Sequence, residues 1–313
     1  MFEIKRYEPS HEQAWNDFVA RSKNGTFLFD RRFMDYHSDR FTDSSLMILR
    51  KGRIYALLPA NRVGDTLHSH QGLTYGGLLT DAKATAEGVM EAFGALNTWL
   101  RNEGVRRVTY KTMPWIYHRL PAEEDLYALT QVCHARLLTR EISSTILLQQ
   151  PLRFTESRKS GLRKALREGL YMEESGDLAA FWQMLDDNLA SRHHTRPVHS
   201  LDELRLLQRR FPQQIHLYLI YNKEKEPVGG TWVFDTGQVV HTQYIASTEE
   251  GKAHGALDLL FDELINRRYR EGIYLDFGKS TEEGGRVLNE HLIFQKEGFG
   301  GRGVCYDTYE WEP

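Results

Sequence analysis

Apolar positions along this chain follow two periods, and the order in which those periods alternate occurs twice. Runs of Leu, Ile, Val and Tyr at Leu46–Arg50 and Ile54–Arg62, joined by the polar turn Lys51–Arg53, predict a strand hairpin. A third strand ends at Gly72–Gly77. Val89, Met90, Phe93, Leu96 and Leu100 then fall at helical spacing within Glu87–Asn102, and Val105–Lys111 reads as a closing strand. About 170 residues later the order returns: His216–Tyr221, turn Asn222–Pro227, Val228–Phe234, Val239–Ser247, a helix from Gly255 to Tyr269, and Ile273–Phe277.

Each repeated helix passes through a glycine, Gly104 or Gly272, into the next strand. Glycine takes the left-handed conformation that ends many helices. A strand, a helix and a strand in succession imply a crossover with local parallel pairing. The hairpins before it are antiparallel. The expected class is therefore α/β with mixed, mostly antiparallel sheets flanked by helices, in two similar domains spanning 1–150 and 151–313. Outside the repeats, Phe2–Tyr7 alternates like an edge strand, and His11–Ser22 and Arg31–His37 read as helices. Thr130–Arg136 and Ile142–Gln149 read as strands, and Glu156–Gly169, Asp177–Arg192 and Leu201–Phe211 as helices.

Composition narrows the picture little. The 313 residues carry a formal net charge of −3, so no global field draws the chain to DNA or to an anionic membrane. No run approaches the roughly 18–20 apolar residues of a membrane span. The N-terminal residues lack the apolar centre of a secretory signal. Two cysteines, Cys133 and Cys305, form no metal-spaced pair. Free thiols suit a reducing compartment, so the expected location is cytoplasmic.

The densest polar cluster is Ser191–Ser200, which holds Arg192, His193, His194, Arg196 and His199. Arginine clamps carboxylate or phosphate, and histidine exchanges protons near neutral pH. A substrate-contacting loop, a structural surface loop and a metal site all fit this composition, although no carboxylate or cysteine sits nearby at ligand spacing. In Tyr274–Ser280, Asp276 is an acid inside an apolar strand, followed by Lys279. Polar residues at strand ends in α/β sheets often face a ligand crevice; a turn cap or an arginine partner is the other reading. The matching first-copy run, Val108–Met113, has no acid.

Alternation in Val239–Ser247 puts His241 and Gln243 on one face and Tyr244 on the other, either toward a ligand or toward solvent. Thr248–Gly255 follows as a polar run into a helix. Its Gly251, Lys252, His254 and Gly255 suit an anion at free helix amides. In the first copy, His68–Gly77 carries His70, Tyr75 and three glycines. It suits close approach by a ligand or by neighbouring chain.

These features resemble the Fem family of aminoacyl transferases, built from two acyltransferase domains of the GCN5-related N-acetyltransferase (GNAT) type. The resemblance rests on the twofold α/β unit, the basic Arg163–Gly169 helix, the Asp276-Phe-Gly278 strand end and the closing Leu292–Gly301 run. It implies transfer of an acyl group to an amine, with acyl-coenzyme A or aminoacyl-tRNA as donor and no tightly bound cofactor or metal. The acceptor would be a small molecule or peptide amine. The family's closing Phe-Lys-x-x-Phe-Gly pattern falls on Gln295, Lys296, Phe299 and Gly300, which makes Lys296 the candidate cation beside a donor phosphate or an oxyanion. The coenzyme A loop pattern Gln/Arg-x-x-Gly-x-Gly/Ala meets Lys252-Ala-His-Gly-Ala-Leu257, which differs at both ends.

On this reading Asp276, Lys296 and His199 are catalytic candidates, with Asp276 or a histidine of Ser191–Ser200 accepting the amine proton. The second copy is expected to hold the reaction site and the first to wall the cleft. The alternative is a catalytically silent module that holds a sugar-phosphate, peptide or nucleotide. A third reading, RNA binding, rests on the basic residues of the Arg158–Arg167 helix.

Overall fold

The computed structural model describes residues 1–193 and 197–313; the side chains of 191–193 lie outside the description. The chain divides into two compact units. The first comprises Met1–Ile142, Thr281–Val287 and Cys305–Pro313, and the second Ser143–Ser280 with Leu288–Val304. This differs from a single cut at 150, because the last strand of the chain contributes residues to the first unit.

In the first unit, β1 (Phe2–Arg6), β2 (Leu46–Arg50), β3 (Arg53–Leu58) and β6 (Leu79–Thr80) form one sheet in that order. A second ladder joins β4 (Asn61–Val63), β5 (Thr66–His68), β7 (Arg107–Lys111) and residues Thr308–Trp311 of the closing strand β16 (Arg302–Trp311). The hairpin β2–β3 is antiparallel and β5–β7 is parallel. Helices α1 (Glu12–Arg21) and α2 (Arg31–Met34) precede these strands, while α3 (Ala86–Asn102) makes the crossover and α4 (Glu124–Gln131) follows. Thr85 caps α3 by accepting from the Gly88 amide at 3.2 Å, which satisfies one of the donors left open at a helix start. Val89, Ala92, Phe93, Leu96 and Leu100 then face inward. Each of the larger ones, Val89, Phe93, Leu96 and Leu100, contributes about 1.5–3 kcal/mol. Trp311 closes this core, its indole N–H donating to Asn97 Oδ1 at 2.9 Å. The strand expected at Thr130–Arg136 is instead the end of α4 and the start of β8 (Arg136–Leu147). Apolar Leu126, Ala128 and Leu129 favour a helix packed on α3 over a short strand.

The second unit orders its strands β8, β13 (Tyr274–Lys279), β12 (Val239–Ser247), β11 (Pro227–Asp235), β10 (Ile215–Tyr221) and β9 (Tyr171–Glu174). Neighbours are antiparallel except β12 and β13, which are parallel. Helices α5 (Glu156–Arg167), α6 (Leu178–His193) and α7 (Leu201–Arg210) precede the hairpin β10–β11. Ser200 and Glu203 form a reciprocal capping box that starts α7. The crossover runs as α8 (Glu249–His254) and α9 (Ala256–Glu263), continued by a π turn over Leu264–Arg268. The helix α10 (Glu290–Gly298) also belongs to this unit, while the short strand β14 (Thr281–Glu282) belongs to the first and β15 (Val287–Leu288) falls where the two divide.

Gly255 joins α8 to α9 at φ 76°, in the left-handed region, and a Cβ there would sit 2.4 Å from the Gly161 carbonyl oxygen of α5. Gly161 in turn lies against the Asp258 carboxylate. Two glycines thus let α5 cross α9 at backbone distance. Gly255→Ala adds both left-handed strain and a clash with backbone, so a loss of about 2–4 kcal/mol is expected, read as a lower urea midpoint.

Candidate functional site

The parallel pairing of β12 with β13 lasts three rungs, Val239–Tyr274, Val240–Leu275 and His241–Asp276. Beyond the third rung β12 stays on β11 as far as Ser247, whereas β13 turns away at Gly278, whose φ is 74°. A bulge accompanies the parting: Trp232 faces Tyr244 and Val233 faces Thr242, so Gln243 is the extra residue. The alternation expected through β12 therefore breaks at Gln243. Its Oε1 is buried without a hydrogen-bond partner.

A cavity of about 460 Å³ opens where the strands separate. Ile245, Ala246 and Ser247 of β12 line one side, and Gly251, Lys252, Gly255, Ala256 and Asp258 of α8 and α9 another. Leu185 and Asn188 of α6, and Leu292, Gln295 and Lys296 of α10, complete the wall. Phe261, Phe277 and Phe299 also line it and pack edge to face or tilted, with Phe261 4.8 Å from Phe277 and 4.9 Å from Phe299 between ring centres. Arg158 lies over the Phe299 ring at 5.1 Å and pairs with Asp258 at 3.0 Å. Burial raises the Asp258 carboxyl, and the Arg158 charge opposes that rise.

Lys296 comes from the last turns of α10 and is 5% exposed. Its ammonium donates to the carbonyls of Gly278 at 2.8 Å and Lys279 at 3.0 Å, and to Ser280 Oγ at 2.8 Å. An ammonium has three N–H donors, and these contacts use all three. Burial draws its pKa down to about 8, against the pull of the Asp276 charge. Lys296 thus fastens the end of β13 at the cavity wall and places a positive charge there.

Asp276 is fully buried. It accepts from Ser143 Oγ at 2.5 Å, Thr145 Oγ1 at 2.8 Å and His241 Nδ1 at 2.9 Å. Ser143 and Thr145, two apart on β8, point to one face of the strand. Neither stood out in the sequence; the available signal was their two-residue spacing beside the apolar Ile146 and Leu148.

The other expected site residues are distributed differently. His199 Nδ1 meets the Tyr244 hydroxyl at 2.6 Å, and its carbonyl accepts from Trp182 Nε1. Burial pushes Tyr244 up to about 12. Arg192 and His193 end α6 with side chains outside the description, and Arg196 lies outside the described residues. Thr248–Gly255, read as a polar run leading into a helix, is itself α8. Thr248 accepts from the Gly251 amide, the Lys252 amide bonds the Thr248 carbonyl, and Gly255 N–H returns to Gly251, so these amides are spent inside the helix. Gly251 packs where a Cβ would lie 1.9 Å from the Val228 oxygen. Lys252 pairs with Glu249, and His254 does not line the cavity. Lys279 offers its carbonyl to Lys296.

His70 and Tyr75 lie in the first unit at 3% and 2% exposure. His70 adopts φ 65°, and burial together with His37 lowers it to about 3. Tyr75 OH meets Thr26 Oγ1 at 3.0 Å. Both belong to the stretch that follows β5. There β5 and β7 also pair in parallel for three rungs, from Thr66–Arg107 to His68–Thr109. The space beyond is filled by residues 69–78. Lys111 Nζ donates to the carbonyls of His70, Gln71 and Leu73, and Ser69 Oγ bridges the Lys111 backbone. Gly76 touches the Ser69 carbonyl so closely that a Cβ would lie 1.8 Å from it. The glycines there admit neighbouring chain. Tyr110 OH accepts from the Leu78 amide at 2.6 Å and donates to Asp125 at 2.7 Å.

Residues 155–284 match the family model described as an acetyltransferase (GNAT) domain, about two fifths of the chain. The whole chain has the Fem-like tandem GNAT fold. It superposes on the crystal structure of FemX with a TM-score of 0.68 at 11% identity, covering 99% of this chain and 97% of that one. L-PGS from Bacillus licheniformis gives 0.58 at 13%, covering 97% and 92%. A tandem GNAT protein from the clavulanic acid biosynthesis pathway gives 0.51 at 12%, covering 100% and 98%. No curated protein matches the chain. Among the described residues no helix is long and apolar enough to cross a membrane, and no group of three or more His, Cys, Asp or Glu is placed to hold a metal ion.

Two tests follow from these geometries. Lys296→Met leaves two carbonyls and a hydroxyl without their donor, so a loss of about 3 kcal/mol is expected by urea denaturation, with Lys296→Arg closer to the parent. Burial raises Asp125 to about 6. A carboxyl raised in the folded state stabilises below its unfolded pKa, and that contribution is lost as pH climbs through the folded value. Between pH about 4 and 6 the parent should lose up to about 3 kcal/mol from this group. Asp125→Asn removes that slope in urea midpoints measured across the interval.

Proposed function

We propose that the second unit carries one acyl-transfer site, which moves an acyl or aminoacyl group from an activated donor to an amine. The observation that carries this reading is the parting of β12 from β13 beside an open cavity, set against the equivalent parting in the first unit, which its own chain fills. One copy of the duplicated unit retains room for a donor.

The donor's acyl end enters between β12 and β13, with the three phenylalanines as floor. Backbone amides of β12 beyond its last rung with β13 supply hydrogen bonds to the carbonyl. The Lys296 charge, 2.8 Å from the Gly278 oxygen, polarises the opposite wall. Preorganised backbone N–H donors of this kind lower the barrier by roughly 3–4 kcal/mol, and positioning lowers it by on the order of 7–11 kcal/mol. The acceptor is a small-molecule or peptide amine. The two unpaired thiols, Cys133 and Cys305, suit a cytoplasmic setting.

The donor is acyl-coenzyme A or aminoacyl-tRNA, and thermal shift with acetyl-coenzyme A and with charged tRNA distinguishes them. The productive donor should stabilise the chain by about 2.7 kcal/mol at 100 times its dissociation constant. Ala246→Leu, which enlarges a side chain of the cavity wall, should abolish that shift measured against the variant's own unliganded transition. A shift that survives Ala246→Leu places the donor elsewhere.

A further inference from the structure

We propose that Gln295 sets the donor specificity of the second unit's cavity, selecting an acyl group that carries a hydroxyl or amino substituent over a plain alkyl one. This rests on the acyl-transfer reading and names the class of group transferred. Leu292, Gln295 and Lys296 fall three and four residues apart, so one face of α10 supplies all three to the cavity wall. Leu185, Leu189, Ile245 and Phe299 line the same cavity and are apolar. Gln295 is half-buried there.

The other polar side chains of the wall are committed to the fold. Arg158 pairs with Asp258, and Lys252 with Glu249. Asn188 Nδ2 donates to the Met184 carbonyl at 2.7 Å and to the Ser247 carbonyl at 3.0 Å. Ser247 Oγ donates to the Val228 carbonyl at 3.1 Å. Lys296 spends its donors on Gly278, Lys279 and Ser280. Gln295 makes no hydrogen bond or ion pair among the described residues. A carboxamide offers one acceptor oxygen and two N–H donors. The cavity therefore holds an unspent hydrogen-bonding group on a largely apolar wall.

Solvent serves that carboxamide while the cavity is open. A plain alkyl group entering beside it displaces water and returns no hydrogen bond, which loses affinity. A hydroxyl or an uncharged amine returns both kinds of bond, donating to Oε1 and accepting from Nε2. The aliphatic and aromatic walls take the carbon skeleton of either group alike, so discrimination falls to the carboxamide. The substituent takes no part in bond making: the amine attacks the carbonyl carbon, and the donor's sulfur or oxygen leaves with the electron pair and the amine's surplus proton.

Matched donors test the assignment. With a primary amine as acceptor, kcat/KM is compared for propionyl-coenzyme A against its 2- and 3-hydroxypropionyl analogues, and for propionyl against alanyl esters of one tRNA. On the carrier the protein uses, the parent should prefer a substituted group about tenfold or more. Gln295→Met, apolar and close in shape, should bring that ratio to within about twofold of one. Gln295 ties down no other residue, so the variant's urea midpoint should stay near the parent's. A purely structural effect would lower both members of a donor pair together and keep the ratio. A parent ratio near one, or a preference that Gln295→Met leaves in place, overturns the proposal while the acyl-transfer reading stands. Transfer from none of these donors sinks the acyl-transfer reading, and donor-induced thermal shifts then decide Gln295. A larger shift with substituted donors that Gln295→Met erases supports it, and any other pattern overturns it.

Discussion

A carboxylate without solvent is costly unless hydrogen-bond donors replace the water it has lost. Asp276 meets that condition by drawing one hydroxyl pair from β8 and one imidazole from β12 onto the middle of β13. Three strands are thereby tied at a single depth in the sheet. The tie coincides with the last parallel rung, so the sheet is held just where it begins to open. The cavity wall beyond it depends on a second buried ion, Lys296, which secures the departing end of β13. Opening a sheet exposes backbone groups, and Lys296 supplies a donor to two of the carbonyls, those of Gly278 and Lys279, at the departing end of β13.

The duplication shows one scaffold with two outcomes. In both units a parallel pair runs for three rungs and then separates. In both, a lysine ammonium spends its donors on chain at the separation. Lys111 holds residues 70–73 inside the gap, and Lys296 holds the end of β13 at its edge. The difference lies in what the ammonium fastens. A folded-back, glycine-rich segment closes the first gap, while a cavity lies beside the second.

Much of the fold was legible. The hairpins, the crossover helices and the parallel closing strands follow from apolar periodicity, which reports the local burial pattern directly. Less of the site was legible. Asp276 stood out because an acid inside an apolar strand is rare. Ser143 and Thr145 did not, since small hydroxyl residues occur in many strands and only the partner across the sheet gives them a task. His199 drew notice through a crowded polar run, yet its ring meets Tyr244. The Gly251–Gly255 run read as an anion loop, but its amides close a helical turn and its glycines admit neighbouring backbone.

The sequence by itself determined the repeat, the α/β class and the resemblance to tandem GNAT enzymes, because hydrophobic spacing and short motifs are local properties of the chain. The tertiary structure decided which gap stays open, that His241 and Asp276 share a rung, and that Lys296 is committed to three acceptors. Those facts depend on residues far apart in sequence, such as Ser143 with Asp276 and Gly161 with Gly255. Distance in three dimensions is set by strand register and helix crossing, and neither is written in any one segment.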